Sequence, residues 1–198
     1  MRSKLLRKSH LTSLVLAIVV FALVFVDGCN SNRNLVVYTT LHKRMAEPVL
    51  NYYTKLTGIK IRTVYASPDA EKTGLAKAIA AGTAHPDADI FWTINHEYAQ
   101  YFSQSGLLEC YPPLSVNEIP PRFRDPDCCW IGICAISARA DQHGRFCAAG
   151  ILKNCLNSEN AKRFLDFLTS QLGEKIVTSY NPDFRSIRPA ETDSLQSQ

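Results

Sequence analysis

Short apolar runs alternate with longer amphipathic segments in the first half of the chain. Runs rich in β-branched and aromatic residues predict three buried strands, at residues 34–40, 59–67 and 88–94. The segments that follow them space their apolar residues three to four apart and stop at glycines, as helices do: Gly58, Gly82 and Gly106. Strands and helices that alternate through short connections predict right-handed βαβ units and a parallel sheet.

Two prolines refine the predicted helices. Pro48 lies inside the first helical segment and has no backbone N–H, so we expect that helix to begin near Glu47. Ser67 and Pro68 are typical of an N-cap and a first helical residue, which starts the second helix.

The second half of the chain is less regular. Residues 107–127 are rich in proline and predict loops, whereas WIGICAIS at 130–137 could be a further strand. Residues 158–180 carry their apolar side chains on one face and predict a helix or a helix pair, with Ser158 as a plausible N-cap. The segment NPDFRSIRPAETDSLQSQ at 181–198 becomes polar and is expected to fray, and residues 191–198 form the polar tail.

The N-terminus has the organisation of an export signal. A basic opening precedes sixteen apolar residues at 11–26, which predicts a secretory signal peptide over residues 1–28. An uncleaved membrane anchor is the alternative, for which this run is slightly short. Cys29 ends the sequence FVDGC, which resembles a bacterial lipobox, so we expect lipidation of Cys29 and a tether at 29–34. The mature protein is then exported, and a lipid anchor holds it to the membrane.

Composition and charge exclude one class of partner. The chain is 46% hydrophobic and 20% charged, as an ordinary globular domain is. Its net charge of +4 comes mostly from the N-terminal segment, and the remainder, with 18 basic and 17 acidic residues, has about +1. No run of Lys or Arg follows residue 28, so we expect no nucleic-acid partner.

Several segments in the same order carry a family resemblance. They are LVVYTTLHKRMAEPVLNYYTKLTGIKI, DADIFW, QSGLLECY, FRDPDCCWIGICAISAR, SENAKRFLDFLTSQLGEKI and SIRP. Together they resemble the ferric-iron type of periplasmic solute-binding protein, which is the extracytoplasmic receptor of an ABC importer. The resemblance implies an α/β fold with a three-layer, mainly parallel, doubly wound sheet as one lobe of a two-lobed protein. It also implies an ABC permease and ATPase as partners.

The resemblance implies a ligand site at the carboxyl ends of the strands. It assigns metal ligation to His42 and Asp69, and further ligand contacts to Thr40 and Asn95. Iron(III) is the implied ligand, and no cofactor is required. A solvent-facing His42 and a helix-dipole role for Asp69 are the alternatives. The paired tyrosine ligands of the family have no match, because Tyr52–Tyr53 belongs to the first helix, where we expect core packing.

The resemblance is interrupted in the second half of the chain. It covers residues 35–139 and 158–190, which we assign to the first lobe. Residues 140–157 match nothing and are interpreted as a seam in place of the second lobe. A shortened solute-binding protein is therefore the first hypothesis. A single-lobe interaction module, or a remnant that no longer delivers a ligand, is the second.

The remaining motifs argue against an enzyme and leave the cysteines open. GxSxG, HExxH, Walker A and GxGxxG sequences are all absent, so no enzymatic activity is expected. The cysteines after Cys29 form no CxxC and match no zinc spacing. In an oxidising compartment these six residues allow fifteen complete disulfide pairings, of which adjacent Cys128 and Cys129 are the least favourable pair.

Overall fold

The computed structural model describes residues 33–66, 87–137 and 144–189. The predicted signal peptide, Cys29, the second helical segment with Asp69, and the polar tail lie outside these ranges. Across the described ranges, no helix has the length and apolar character needed to cross a membrane.

One open sheet of seven strands forms the centre of the fold. Its strands run in the order β2-β1-β3-β6-β5-β7, and β4 pairs with β6 beside this path. The strands are β1 (Leu35–Thr39), β2 (Ile61–Tyr65), β3 (Ile90–Thr93), β4 (Leu108–Glu109), β5 (Ile131–Ile136), β6 (Phe146–Leu152) and β7 (Phe184–Arg185). The predicted strands at 34–40, 59–67, 88–94 and 130–137 are therefore confirmed.

Helices cover both faces of the sheet. They are α1 (Lys43–Thr57), α2 (His96–Gln104), α3 (Ser158–Thr169) and α4 (Gln171–Ser179). One core cluster packs α1, α3 and α4 against alternate sheet residues such as Val37 and Trp92. A second cluster packs α2 against the opposite face, where Tyr38 and Phe91 point. This helix–sheet–helix arrangement confirms the predicted three-layer α/β class.

The helix ends follow local chemistry, with two differences from the predictions. Helix α1 begins at Lys43 rather than near Glu47, so Pro48 lies inside the helix and the Arg44 carbonyl lacks its intrahelical N–H donor. It ends, as expected, at Gly58, whose φ of 75° favours glycine. The predicted helix at 158–180 is a pair, and the N-cap position of its first helix is Asn157 rather than Ser158.

The sheet is parallel in one part and antiparallel in the other. Strand β1 pairs in parallel with β2 and β3, as the βαβ pattern predicts. Strand β6 is antiparallel to β3, β4 and β5, and β5 is antiparallel to β7. The expected mainly parallel sheet is a mixed sheet, in which β6 and β7 run opposite to the other five described strands.

The segment 140–157, interpreted as a seam in place of the second lobe, contributes strand β6. All seven residues of β6 are buried, and the strand lies between β3 and β5 in the sheet. Four of the seven residues in its sequence FCAAGIL are Cys, Ala or Gly, and only Ile151 is β-branched, so the run has little strand signal. Only a glycine fits at position 150, because an added Cβ atom would lie 2.8 Å from the carbonyl oxygen of Cys129.

A buried carboxylate joins three segments at the amino ends of β1 and β3. Asp89 is fully buried, and its Oδ2 accepts a 2.8 Å hydrogen bond from the N–H of Val36. Its Oδ1 accepts bonds of 3.1 and 3.0 Å from the N–H groups of Leu156 and Asn157, just before α3. Asp89 therefore links the start of β1, the start of β3 and the entry to the C-terminal helices.

A second buried carboxylate anchors the C-terminal segment SIRP. Glu174 in α4 accepts hydrogen bonds from the hydroxyl of Ser186 at 2.9 Å and the N–H of Ile187 at 2.7 Å. Its other oxygen lies 2.7 Å from the guanidinium of Arg188, which also bonds Glu118 at 3.1 Å. This network holds residues 186–188 against α4, so the expectation that the chain frays from residue 181 onward is wrong for residues 181–189.

The cysteines are only partly oxidised in the described ranges. Cys110 and Cys129 form a disulfide, while Cys128, Cys134, Cys147 and Cys155 are free thiols. The bonded pair joins the segment after β4 to the loop before β5. As expected, the adjacent pair Cys128–Cys129 is not the one that bonds.

We expect Asp89→Asn to lower the free energy of unfolding by about 1–3 kcal/mol, because one of the three N–H donors would then face an amide N–H₂. The measurement is urea unfolding. Asp87→Asn is the matched control, since Asp87 pairs with Arg62 at the surface and should cost less than about 1 kcal/mol. Equal losses for the two variants would show that the hydrogen bonds of Asp89 to the three segments do not stabilise the fold.

The pH dependence of stability tests the same carboxyl. Burial raises the pKa of Asp89, and hydrogen bonds from backbone N–H groups and the charge of Arg33 only partly offset this. The folded chain then holds this proton to a higher pH than the unfolded chain does. The contribution of Asp89 to the free energy of unfolding should therefore fall as pH rises from the ordinary carboxyl pKa to the raised one. Urea unfolding across this pH interval should show that the fall in the free energy of unfolding is lost in Asp89→Asn and kept in Asp87→Asn.

We expect Arg188→Ala to lower the free energy of unfolding by about 3 kcal/mol, because Glu174 would keep a buried charge without its cation. The control is Arg185→Ala, three residues earlier and exposed, which should change stability by less than about 0.5 kcal/mol. Thermal unfolding of both variants measures the difference. A loss at position 188 no larger than at position 185 would show that the pair does not stabilise the fold.

Candidate ligand-binding edge of the sheet

The carboxyl ends of β1, β3 and β5 meet at one edge of the sheet. Strands β1 and β3 are parallel partners, while β3 and β5 are both antiparallel to β6 and so run in the same direction. Helices α1 and α2 begin directly after β1 and β3 at this edge. In an open α/β sheet this is the edge beyond which ligands bind.

A network of hydroxyl groups fixes the two strand ends to each other. The hydroxyl of Thr40 donates to the hydroxyl of Thr93 at 3.1 Å and accepts from the N–H of Ile94 at 3.0 Å. The hydroxyl of Thr93 donates to the carbonyl of Asn95 and accepts from its N–H, each at 3.1 Å. The edge is therefore rigid at the point where both helices start.

The structure brings Thr40 and Asn95 together but engages the polar groups of both. Thr40 is 3% exposed, and its hydroxyl has the two partners described above. The side-chain oxygen of Asn95 caps α2 by accepting from the N–H of Glu97 at 3.1 Å. Its side-chain nitrogen donates to the carboxylate of Glu97, also at 3.1 Å. Both residues position the helix starts, and their predicted contact with a ligand stays a prediction.

His42 lies at the same edge with its side chain exposed. It occupies the N-cap position of α1, where its imidazole makes no capping hydrogen bond. Its carbonyl accepts from the N–H groups of Met45 at 2.8 Å and Ala46 at 3.1 Å, which holds the backbone in place. The predicted second metal ligand, Asp69, lies outside the described residues.

The first turn of α1 is strongly positive. It contains no acidic residue, and Lys43 and Arg44 follow His42 directly. Lys43 pairs with Glu47 at 3.3 Å, whereas Arg44 has no ion pair within the described part of the chain. The helix dipole adds a partial positive charge at the same end. This arrangement favours an anionic group near His42.

A cavity that the sequence did not predict opens beside this turn. It has a volume of about 350 Å³ and is lined by Arg44, Met45, Tyr180, Asn181, Pro182 and Asp183. The side-chain nitrogen of Asn181 donates to the carbonyls of Val177 at 2.8 Å and Met45 at 3.5 Å, which ties the end of α4 to the start of α1. The NPD sequence after α4 signals only a turn, so sequence alone could not place it beside Arg44.

Two tyrosines near this edge have a raised phenol pKa. Burial and the charge of Glu47 raise the pKa of Tyr65, at the end of β2, which keeps its phenol protonated. Tyr53 is buried among Phe164 and Phe167, and burial raises its pKa to about 12. The prediction that the Tyr52–Tyr53 pair packs in the core is confirmed, with Tyr52 stacked on Phe167.

The described residues do not assemble a metal site by themselves. Within residues 33–66, 87–137 and 144–189, no group of three or more His, Cys, Asp or Glu side chains has the proximity to hold a metal ion. The imidazole of His42 could provide one ligand. Further oxygen ligands would have to come from elsewhere, including a bound anion.

Comparisons with solved structures place this fold among periplasmic binding proteins. Iron-bound HitA from Pseudomonas aeruginosa matches with a TM-score of 0.65 at 13% identity, covering 79% of this chain and 87% of HitA. AfuA from Actinobacillus pleuropneumoniae, with exogenous fructose-6-phosphate bound, matches with a TM-score of 0.64 at 13% identity. The match covers 78% of this chain and 85% of AfuA. FutA from Trichodesmium, in complex with iron and citrate, matches with a TM-score of 0.61 at 15% identity. The match covers 80% of this chain and 89% of FutA.

The likeness lies in the structure and not in the sequence. No protein-family model matches the chain, and no curated protein does either. At identities this low, a structural match shows a shared fold. The chain therefore has the fold of periplasmic binding proteins.

We expect Asn95→Ala to lower the free energy of unfolding by about 1 kcal/mol, because the N–H of Glu97 loses its cap. Asn95→Ser is the matched variant, since a serine oxygen can still accept that bond, and it should cost clearly less. Urea unfolding of both variants measures the difference. Equal losses would mean that Asn95 acts through something other than the cap.

Proposed function

We propose that the chain is the solute-binding protein of an ABC importer and binds a ferric iron complex at the carboxyl edge of its sheet. The observation that carries this proposal is the positive, uncapped start of α1 beside His42 and the 350 Å³ cavity, in a fold shared with periplasmic binding proteins. The neighbours HitA and FutA bind iron, which supports the choice of metal.

The chemistry of the edge favours iron that arrives with an anion. Iron(III) is a small, highly charged cation that prefers oxygen ligands, and the described residues offer His42 without an acidic cluster. An oxygen-rich anion such as citrate would supply those ligands and would itself be stabilised by the start of α1 and by Arg44. Asp69 is proposed as a second protein ligand on the strength of the sequence resemblance alone.

Export and membrane attachment complete the proposal. A signal peptide over residues 1–28 and lipidation of Cys29 would place the domain outside the cytoplasmic membrane, where an importer collects its solute. An ABC permease and ATPase are the proposed partners. The disulfide between Cys110 and Cys129 supports an oxidising compartment, because such bonds persist there.

A single-lobe interaction module is the second candidate function. It is favoured by the observation that helices cover both faces of the sheet, so the described lobe buries its core without a second lobe. Such a module would keep the fold but would not close over a ligand, and ligand delivery would be lost. Saturable binding of a solute distinguishes the two functions.

The test is a thermal shift titration of the full chain with ferric citrate. We expect a saturable rise in Tm, because a ligand that binds only the folded state stabilises it by mass action. Citrate alone should bind more weakly, since it lacks the bond from iron to His42. Fructose-6-phosphate serves as a probe for an organic phosphate. No shift with any of the three would overturn the proposal and favour the interaction module.

We expect His42→Gln to weaken ferric citrate binding by about tenfold or more, because one nitrogen ligand of the metal is lost. Lys55→Gln is the control at the other end of α1, where an exposed basic residue lies far from the edge. It should leave the dissociation constant unchanged. Equal affinities for the His42→Gln protein and the original chain would remove His42 from the site.

A further inference from the structure

Two of the free cysteines face each other across neighbouring strands. Cys134 in β5 and Cys147 in β6 are directly paired in the antiparallel register. Both are completely buried and belong to the same core cluster, so their side chains point to the same face of the sheet. Their thiols are close enough to hydrogen-bond to each other.

The backbone geometry of such a pair suits a covalent bond. Directly opposed residues in antiparallel strands have Cα atoms about 4.5–5.5 Å apart. Disulfides span Cα separations of about 4.4–6.8 Å, so closing this bond requires no strand movement. A bulge between Gly132 and Cys134 shifts the register by one residue and places Cys134, rather than Ile133, opposite Cys147.

We propose that Cys134 and Cys147 form a second, cross-strand disulfide when the chain folds in an oxidising compartment. The oxidant is a disulfide that exchanges with thiols, such as oxidised glutathione or the disulfide of an exported protein. One cysteine thiolate attacks that disulfide, which releases one thiol and leaves a mixed disulfide. The other cysteine thiolate then attacks the cysteine sulfur of the mixed disulfide and displaces the second thiol. Two protons and two electrons leave the pair, and the oxidant becomes two thiols.

Burial decides when the bond can form. Desolvation raises the pKa of the Cys134 thiol well above its ordinary value, and the neighbouring Cys147 adds to this. Because the thiolate is the reactive form, the pair is inert once the sheet is packed. Oxidation therefore belongs to folding, before β5 and β6 are covered. The same burial then protects the finished disulfide from reducing agents.

The other free thiols do not offer this arrangement. Cys128 belongs to a separate core cluster with Ile119, Ile131 and Ile187. Cys155 is half-buried after the end of β6, near Asp89 and Glu109. Only Cys134 and Cys147, among the cysteines that the structure describes as free, are register partners on adjacent strands.

The bond would join β5 to β6 inside the sheet, near the candidate ligand-binding edge. Strand β5 runs towards that edge and β6 runs away from it, and the disulfide would cross-link the second half of β5 to the start of β6. Constraining a loop of this length in the unfolded chain should lower the unfolding equilibrium constant by roughly one hundredfold. This inference does not depend on which ligand the edge binds.

The first experiment maps the cysteines of the full chain. The chain is unfolded and reduced, then refolded with a mixture of oxidised and reduced glutathione in mild detergent. Free thiols are blocked under denaturing conditions, and the digest is analysed by mass spectrometry. We expect a linked peptide pair that contains Cys134 and Cys147, together with the Cys110–Cys129 pair. Recovery of Cys134 and Cys147 as blocked thiols in the refolded chain would overturn the proposal.

The second experiment compares stability with and without oxidation. Urea unfolding of the glutathione-refolded chain is compared with that of Cys134→Ala/Cys147→Ala, which removes only this bond and suits a core already rich in alanine. After refolding with glutathione, we expect the unfolding equilibrium constant of the double variant to be roughly one hundredfold larger than that of the original chain. When both proteins are refolded with reductant, this difference should vanish. Cys155→Ala is the matched control and should keep the redox dependence. If the double variant does not fold, the mapping experiment alone decides. If Cys155→Ala loses the effect of oxidation on the unfolding equilibrium constant, the assignment of the bond to Cys134 and Cys147 is contradicted.

Discussion

The carboxylate of Asp89 is the constraint on which the arrangement of this lobe depends. It is fully buried and accepts three backbone N–H groups, from Val36 in β1 and from Leu156 and Asn157 before α3. These partners are separated from it by 53, 67 and 68 positions along the chain. A buried charge is tolerated only where such donors satisfy it, so the three segments must meet at this point. The N-terminal strands and the C-terminal helices are thereby held in one body.

Fixing the amino ends of β1 and β3 also determines which residues lie side by side at their carboxyl ends. Because the strands are short and parallel, register set at Val36 and Asp89 brings Thr40 beside Thr93. Those hydroxyl groups orient the starts of α1 and α2, and with them His42 and the basic first turn of α1. The candidate ligand-binding edge thus owes its geometry to a carboxylate at the opposite end of the strands. This separation lets the edge keep exposed positive charge without weakening the core.

The elements that sequence predicted correctly are those whose signal is local. Alternating apolar runs identify β1, β2, β3 and β5, and periodic apolar positions identify α1, α2 and the C-terminal helix pair. Gly58 ends α1 through its own backbone conformation, which its neighbours in sequence reveal. Strand β6 was missed because four of the seven residues in FCAAGIL are Cys, Ala or Gly and only Ile151 is β-branched, so the run has little strand signal. Strands β6 and β7 together give the sheet its mixed direction.

The sequence alone determined the α/β class, most strands and helices, and the positions of His42, Thr40 and Asn95 at strand ends. Local periodicity and capping carry that information, because they depend on residues a few positions apart. Only the tertiary structure decided that β6 completes the sheet and that Asp89 clamps three segments. It alone joined Cys110 to Cys129, set Cys134 opposite Cys147, and placed the turn after α4 beside Arg44. These features are contacts between residues far apart in the chain, and the folded backbone creates them.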